Sequence, residues 1–121
     1  SPIFTVLVRE SRHTHELLEN AKDFTVSIPL DNKMNKVLGY CGSKSGRDFD
    51  KFKEFNLDIL DSKSVESPAI GNCQMIYECK IVYKHHMDPE LLDSEVKGEW
   101  YEKGDLHTIY YGRIVNCYCN K

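Results

Sequence analysis

The chain has 121 residues, with 16 Lys or Arg against 19 Asp or Glu and a formal net charge of −3. That length describes one compact domain able to bury about two-thirds of its unfolded surface, so neither a second domain nor a disulfide or metal staple is required. A mildly acidic composition with 40% hydrophobic and 11% aromatic residues argues against a nucleic-acid coat and against disorder.

Ile3 to Arg9 follows Pro2 and is rich in β-branched and aromatic residues, the pattern of a strand. Thr14 stands where an N-cap would, Glu16 complements the dipole, and Leu17, Leu18 and Ala21 share a face, which predicts a short helix from His15 to about Ala21. Asp23 to Pro29 alternates Phe24, Val26 and Ile28 with Thr25 and Ser27, a second strand ending at proline. Asn35 to Gly42 reads as a short helix. Ser45 to Leu57 reads as a stronger one, opened by a Ser-x-x-Asp variant of the capping box and carrying Phe49, Phe52 and Phe55. After the Ser67-Pro68 turn, Gln74 to Lys84 alternates Met75, Tyr77, Cys79, Ile81 and Tyr83 with Glu78, Lys80 and Lys84, a long half-buried strand. Asp88-Pro89-Glu90 has the form of a capped helix start with Leu91 and Leu92 behind it. Leu106 to Cys119 is apolar or aromatic on both faces, a central strand with Gly112 as the place for a bend. Long strands joined by short helices, without repeat or linker, favour a mainly β (α+β) barrel with peripheral helices over a βαβ sheet.

The longest uncharged stretch, Ser67 to Tyr77, is far short of the roughly 18 apolar residues of a membrane span. Five cysteines, Cys41, Cys73, Cys79, Cys117 and Cys119, form an odd set with no C-x-x-C pair, and no signal-peptide pattern opens the chain. Reduced thiols in a cytoplasm fit this usage, with no nucleic acid and no membrane as partner.

Two segments suit an anion. In Arg9-Glu10-Ser11-Arg12-His13-Thr14, two guanidinium groups and two hydroxyls lie between a strand end and a helix start, where backbone N–H groups and the dipole favour phosphate. The same residues also read as a solvated connection with a Thr cap. The loop around Gly42, Ser45 and Gly46, with Lys44, Arg47 and Lys51, enters a helix but is not a P-loop, because G-x-x-x-x-G-K-[ST] is absent. A well-capped surface helix explains it equally. His13 with His15, and His85 with His86, lack the i, i+4 spacing of a zinc motif, and Cys117 with Cys119 have no second pair, so no metal site is expected. Asp105-Leu106-His107 places an imidazole near a strand start, with Trp100 and Tyr101 as a lid or loop anchors.

Four segments occur in order: Arg9-x-Ser11-Arg12-x-Thr14; Phe24-Thr25-Val26-Ser27-Ile28-Pro29; Cys41-Gly42-x-x-Ser45-Gly46-Arg47-Asp48-x-Asp50-Lys51-Phe52; and Gly104-Asp105-x-His107-x-Ile109-x-x-Gly112-x-Ile114-Val115. Together they resemble the flavin reductase-like family with the FMN-binding split barrel, close to the flavoredoxins. The resemblance implies a homodimeric six-stranded split barrel that binds FMN at the subunit interface. Electrons would pass from NADH or NADPH to a flavin, iron or protein acceptor. It assigns Arg9, Ser11, Arg12 and Thr14 to the FMN phosphate and ribityl chain, brings Ser45, Gly46 and Lys51 near the cofactor, and puts His107 near the nicotinamide or flavin ring. No catalytic side chain is needed, because the chemistry is flavin-centred.

The family's domain begins with further strands and a loop on the isoalloxazine, whereas the resemblance here starts midway at Ser1-Pro2. Residues 1–121 are therefore expected to be one split-barrel domain incomplete at its N-terminal side: a shortened form, one preceded by a further segment, or one completed by a partner. A non-enzymatic FMN electron carrier is the alternative function. A barrel for single-stranded nucleic acid would need a basic groove, and a purely structural barrel would bind no flavin.

Overall fold

The computed structural model describes residues 2–38, 53 and 55–120. In chain order the elements are β1 (Ile3–Arg9), α1 (His13–Glu19), β2 (Asp23–Ile28), β3 (Ile59–Leu60), β4 (Ala69–Ile70), β5 (Met75–His86), a 3-10 turn (Pro89–Leu91), α2 (Ser94–Trp100) and β6 (His107–Cys119). Four strands form one antiparallel sheet in the order β1-β6-β5-β2, and β3 pairs with β4 as a separate ribbon. The two longest strands lie at the centre, as the two-faced apolar pattern of β6 predicts.

Two bulges curl this sheet. Glu78 faces Asn116 and Cys79 faces Ile114, which leaves Val115 as an extra residue on β6; Ile81 faces Gly112 and Tyr83 faces Tyr111, which leaves Val82 extra on β5. Each bulge bends its strand and raises the local twist. The bend expected at Gly112 is thus an extra residue on the opposite strand. Gly112 itself is needed for space: a Cβ there would lie 2.7 Å from Cys79 Cβ and closer still to the Phe24 ring.

Leu18, Phe24, Cys79 and Tyr110 form the main core between the sheet and α1, with Phe4, Val6, Val8 and Ile81 against them. A second cluster, Met34, Ala69, Cys73 and Ile76, fills the other end. Two buried carboxylates hold the 61–68 segment to the sheet. Asp23 accepts from Glu66 N, Ser67 N and Ser67 Oγ at 3.1, 3.0 and 2.6 Å. Glu78 accepts from Lys63 N, Ser64 N and Tyr118 Oη at 2.9, 2.6 and 2.6 Å. Such pairing offsets the cost of burying the charge.

The helical expectations shift. α1 starts at His13, Arg12 is its extended cap residue without a side-chain cap bond, and Thr14 lies inside the first turn. The reason is the tight turn Arg12 N to Arg9 O, 3.0 Å, which winds the chain directly after β1. Asp88 does cap, accepting from Glu90 N, but only a 3-10 turn follows because Leu92 is extended with ψ 139°. The true helix start is Asp93, which accepts from Glu95 N and Val96 N. Residues 35–38 are helical, whereas the stretch predicted to run to Leu57 has stopped before Asn56, whose φ of 50° is left-handed. The remainder of those two predicted helices, including Phe49 and Phe52, lies outside the described residues. Among the described residues no helix is long and apolar enough to cross a membrane.

Candidate functional site

The end of β1, the start of α1 and the start of β6 meet at one place. Arg9 is the cross-strand partner of His107, and Glu10 N extends the ladder by donating to Leu106 O at 2.9 Å. The chain then turns into α1, which carries Arg12 and Thr14 to the same side. Leu7, Val8, Arg9, Arg12, Thr14 and His107 line an open cleft of about 480 Å³, within the range of small-molecule sites.

Asp105 organises one wall. It follows Gly104, whose φ of 76° turns the chain before β6. Its Oδ1 and Oδ2 accept from Ser11 N and Ser11 Oγ at 3.1 and 2.6 Å. Arg9 donates to the backbone oxygens of Asp105, at 2.8 Å, and Trp100, at 3.4 Å, and lies 5.3 Å from the centre of the Tyr101 ring. Tyr101 Oη shares a 2.7 Å hydrogen bond with His107 Nδ1, and the two rings meet edge to face.

Electrostatics follow from these contacts. The Ser11 hydroxyl, then the Ser11 N–H and the charge of Arg9, hold the Asp105 carboxyl below its ordinary value against the opposing effect of burial. His107 is pushed down by burial and by Arg9, with Asp105 opposing. At neutral pH it is therefore an uncharged imidazole with one nitrogen tied to Tyr101.

Arg9, Arg12, Thr14 and His107 line the same cleft. Ser11 is placed beside them but engages Asp105. Ser45, Gly46 and Lys51 lie outside the described residues. The residue that sequence reading did not assign is Asp105, whose only local signal is the preceding glycine turn. Trp100 and Tyr101 act as anchors, through the Trp100 carbonyl and the Tyr101 ring and hydroxyl.

A phosphate-bearing cofactor fits this donor set. Two arginines and a threonine line a cleft of suitable volume, and arginine and hydroxyl groups are phosphate partners. α1 has only seven residues, so side chains rather than a helix dipole carry the positive field.

The curled antiparallel sheet is that of the flavin reductase split-barrel fold. The solved structures bear this out: flavoredoxin of Desulfovibrio vulgaris (Miyazaki F) matches with a TM-score of 0.75 at 23% identity, over 99% of this chain and 54% of that one. The FMN-binding protein of Thermus thermophilus with bound 1-cyclohex-2-enone matches with a TM-score of 0.72 at 24% identity, over 97% and 53%. In sequence, an uncharacterized protein of Archaeoglobus fulgidus is 31% identical over 111 residues, 92% of this chain and 52% of its own length. Residues 1–121 match the family model of the Flavin reductase like domain, and the chain belongs to that family. It spans about half the length of the relatives it matches.

Proposed function

We propose that this chain binds FMN in the cleft between β1, α1 and β6 and serves as an NAD(P)H-dependent oxidoreductase, with a flavin, an iron species or a protein as acceptor. The observation that carries this reading is the meeting of Arg9, Arg12, Thr14 and His107 on one cleft of about 480 Å³ in a member of the flavin reductase family. Bound FMN would supply the two-electron redox chemistry between a reduced nicotinamide and the acceptor.

The chain's own residues bind and orient. Arg12 and Thr14 hold the phosphate and ribityl oxygens; Arg9 adds charge while keeping the Trp100–Asp105 loop in place. Ser11, bonded to Asp105, stands beside them on the phosphate side. His107, neutral and tied to Tyr101, flanks the nicotinamide or flavin ring. The resemblance of their motif assigns Ser45, Gly46 and Lys51 to the cofactor as well. The 121 residues act in this reading as one domain of a cytoplasmic homodimer, for which Ile3 and Leu7, 48% and 55% exposed on one face of β1, offer apolar contact surface.

Visible absorption of the purified protein tests the reading. FMN added to it gives a bound-flavin spectrum that bleaches anaerobically with NADH or NADPH. Bleaching with dithionite alone makes the chain an electron carrier without nicotinamide oxidation, and no flavin binding overturns the proposal. Arg12→Ala weakens FMN binding by roughly 1.5–3 kcal/mol, the span for a hydrogen bond to a charged group, or about tenfold and upward in Kd; unchanged affinity removes Arg12 from the site.

A further inference from the structure

A second cluster lies on the face of the sheet beneath α1. His15 and Glu19 are four residues apart on that helix, so they share one of its faces, and His86 ends β5 directly opposite Thr108 on β6. One ligand atom from each of His15, Glu19 and His86 lies within 4.8 Å of the others. Glu19 Oε1 is 4.0 Å from His15 Nε2 and 3.5 Å from His86 Nε2.

The surroundings divide the Glu19 carboxylate into two ends. Lys84 Nζ, at 3.1 Å, and Tyr110 Oη, at 2.8 Å, both donate to Oε2. Of the two imidazoles, His86 Nε2 lies nearer to Oε1, at 3.5 Å, while His15 Nε2 is 4.0 Å from it and bonds Thr108. Thr108, fully buried, meets His86 Nδ1 at 2.8 Å and His15 Nε2 at 3.0 Å. With His86 Nδ1–H donating to Thr108 Oγ1, the His86 Nε2 lone pair is turned toward Glu19, which is the outer hydrogen bond that metal-ligating histidines make.

The geometry points to a binding site for one divalent first-row transition-metal ion of the zinc type, held by His15 Nε2, Glu19 Oε1 and His86 Nε2. Two imidazoles and a carboxylate are a three-ligand zinc set that leaves a fourth position for water. Zinc bonds of 2.0–2.2 Å place ligand atoms about 3.3 Å apart in a tetrahedron, so small side-chain movements close the present separations. One exchange accompanies binding: the Thr108 hydroxyl proton turns away from His15 Nε2, while Oγ1 still accepts from His86. The site is separate from the cleft of the first proposal, because His107 and Thr108 are neighbours on β6 and their side chains stand on opposite faces. It needs no flavin to be tested.

Calorimetric titration of the purified protein with Zn²⁺ gives one ion per chain, and Co²⁺ in its place gives the visible absorption of a tetrahedral site. His86→Ala weakens Zn²⁺ binding at least tenfold, given that even outer partners of metal ligands are worth 10–100-fold. The His86 side chain is 54% exposed, so the variant keeps its fold, checked by circular dichroism. Glu19→Gln weakens binding likewise, whereas His85→Ala, on the exposed neighbour, leaves it unchanged. No Zn²⁺ binding by the unaltered chain overturns the proposal, as does an equal loss in His85→Ala and His86→Ala, or full affinity in His86→Ala.

Discussion

Asp23 and Glu78 illustrate how single residues govern this fold. Each is a carboxylate inside the sheet, and each has its lone pairs taken by backbone N–H groups of the 61–68 segment and a hydroxyl. Burial pushes both carboxyls up, yet these hydrogen bonds prevail and both lie below their ordinary values. A group with a depressed folded value binds its proton more readily when unfolded, so its stabilisation is present above the unfolded value and is lost as pH falls through the folded one. Urea midpoints are therefore flat from neutral pH down to about pH 5 and fall below about pH 4, where unfolded carboxyls take up protons. Asp23→Asn and Glu78→Gln each flatten that decline; an acid limb of the same depth in both variants contradicts this account. Gly112 acts through volume instead. Gly112→Ala forces a methyl against Phe24 and Cys79 and lowers the free energy of unfolding by about 1–3 kcal/mol, read from the urea midpoint; an unchanged midpoint means that the Phe24 ring moves aside freely.

At the scale of elements, α1 couples core to site. With seven residues and no side-chain cap, it is too short to be stable alone, and Leu18, its one buried residue, fastens it to Phe24, Cys79 and Tyr110. Leu18→Ala costs about 2–5 kcal/mol. Because the same helix carries Thr14 and follows Arg12, FMN affinity falls in the folded variant as well. Denaturant unfolding together with flavin titration checks both parts, and a destabilised variant with full affinity separates the helix from the cleft. β6 behaves differently. Its two-sided apolar pattern places it between β1 and β5, and the bulges at Val82 and Val115 rather than any helix set the curl of the sheet.

For the whole molecule, the described sheet has two edges, β1 and β2. Exposed Ile3 and Leu7 on one face of β1 are the surface that the proposed homodimer covers, since grouped exposed apolar side chains invite association. Sedimentation velocity of the purified chain then shows a dimer that Leu7→Lys converts to monomer. A monomer at the outset, or a Leu7→Lys dimer of equal strength, removes β1 from the interface.

Neighbouring residues carry local information, and that part of the molecule was legible in the sequence. The alternation of Phe24, Val26 and Ile28, the β-branched run of β1 and the two-faced pattern of β6 state strand identity within a residue or two, because side-chain period and steric preference act between near neighbours. The Arg9-x-Ser11-Arg12-x-Thr14 motif reads equally as an anion site or a solvated connection by its spacing, and the family resemblance is what assigns it to the cleft. Local pattern failed where competing signals were equally good: Asp88 and Asp93 are both sound caps, and only the extended backbone at Leu92 decides that the helix begins at the second. The β3–β4 ribbon, two residues on each side, is too short to have a period. Tertiary structure alone decided what depends on distant pairing. The Asp105 clamp on Ser11, the acids that hold the 61–68 segment, and the meeting of His15, Glu19 and His86 around Thr108 arise from strand register across long stretches of chain. The hydrophobic pattern constrains register only once the partner strand is known, and which distant strands pair is settled by packing in the folded chain.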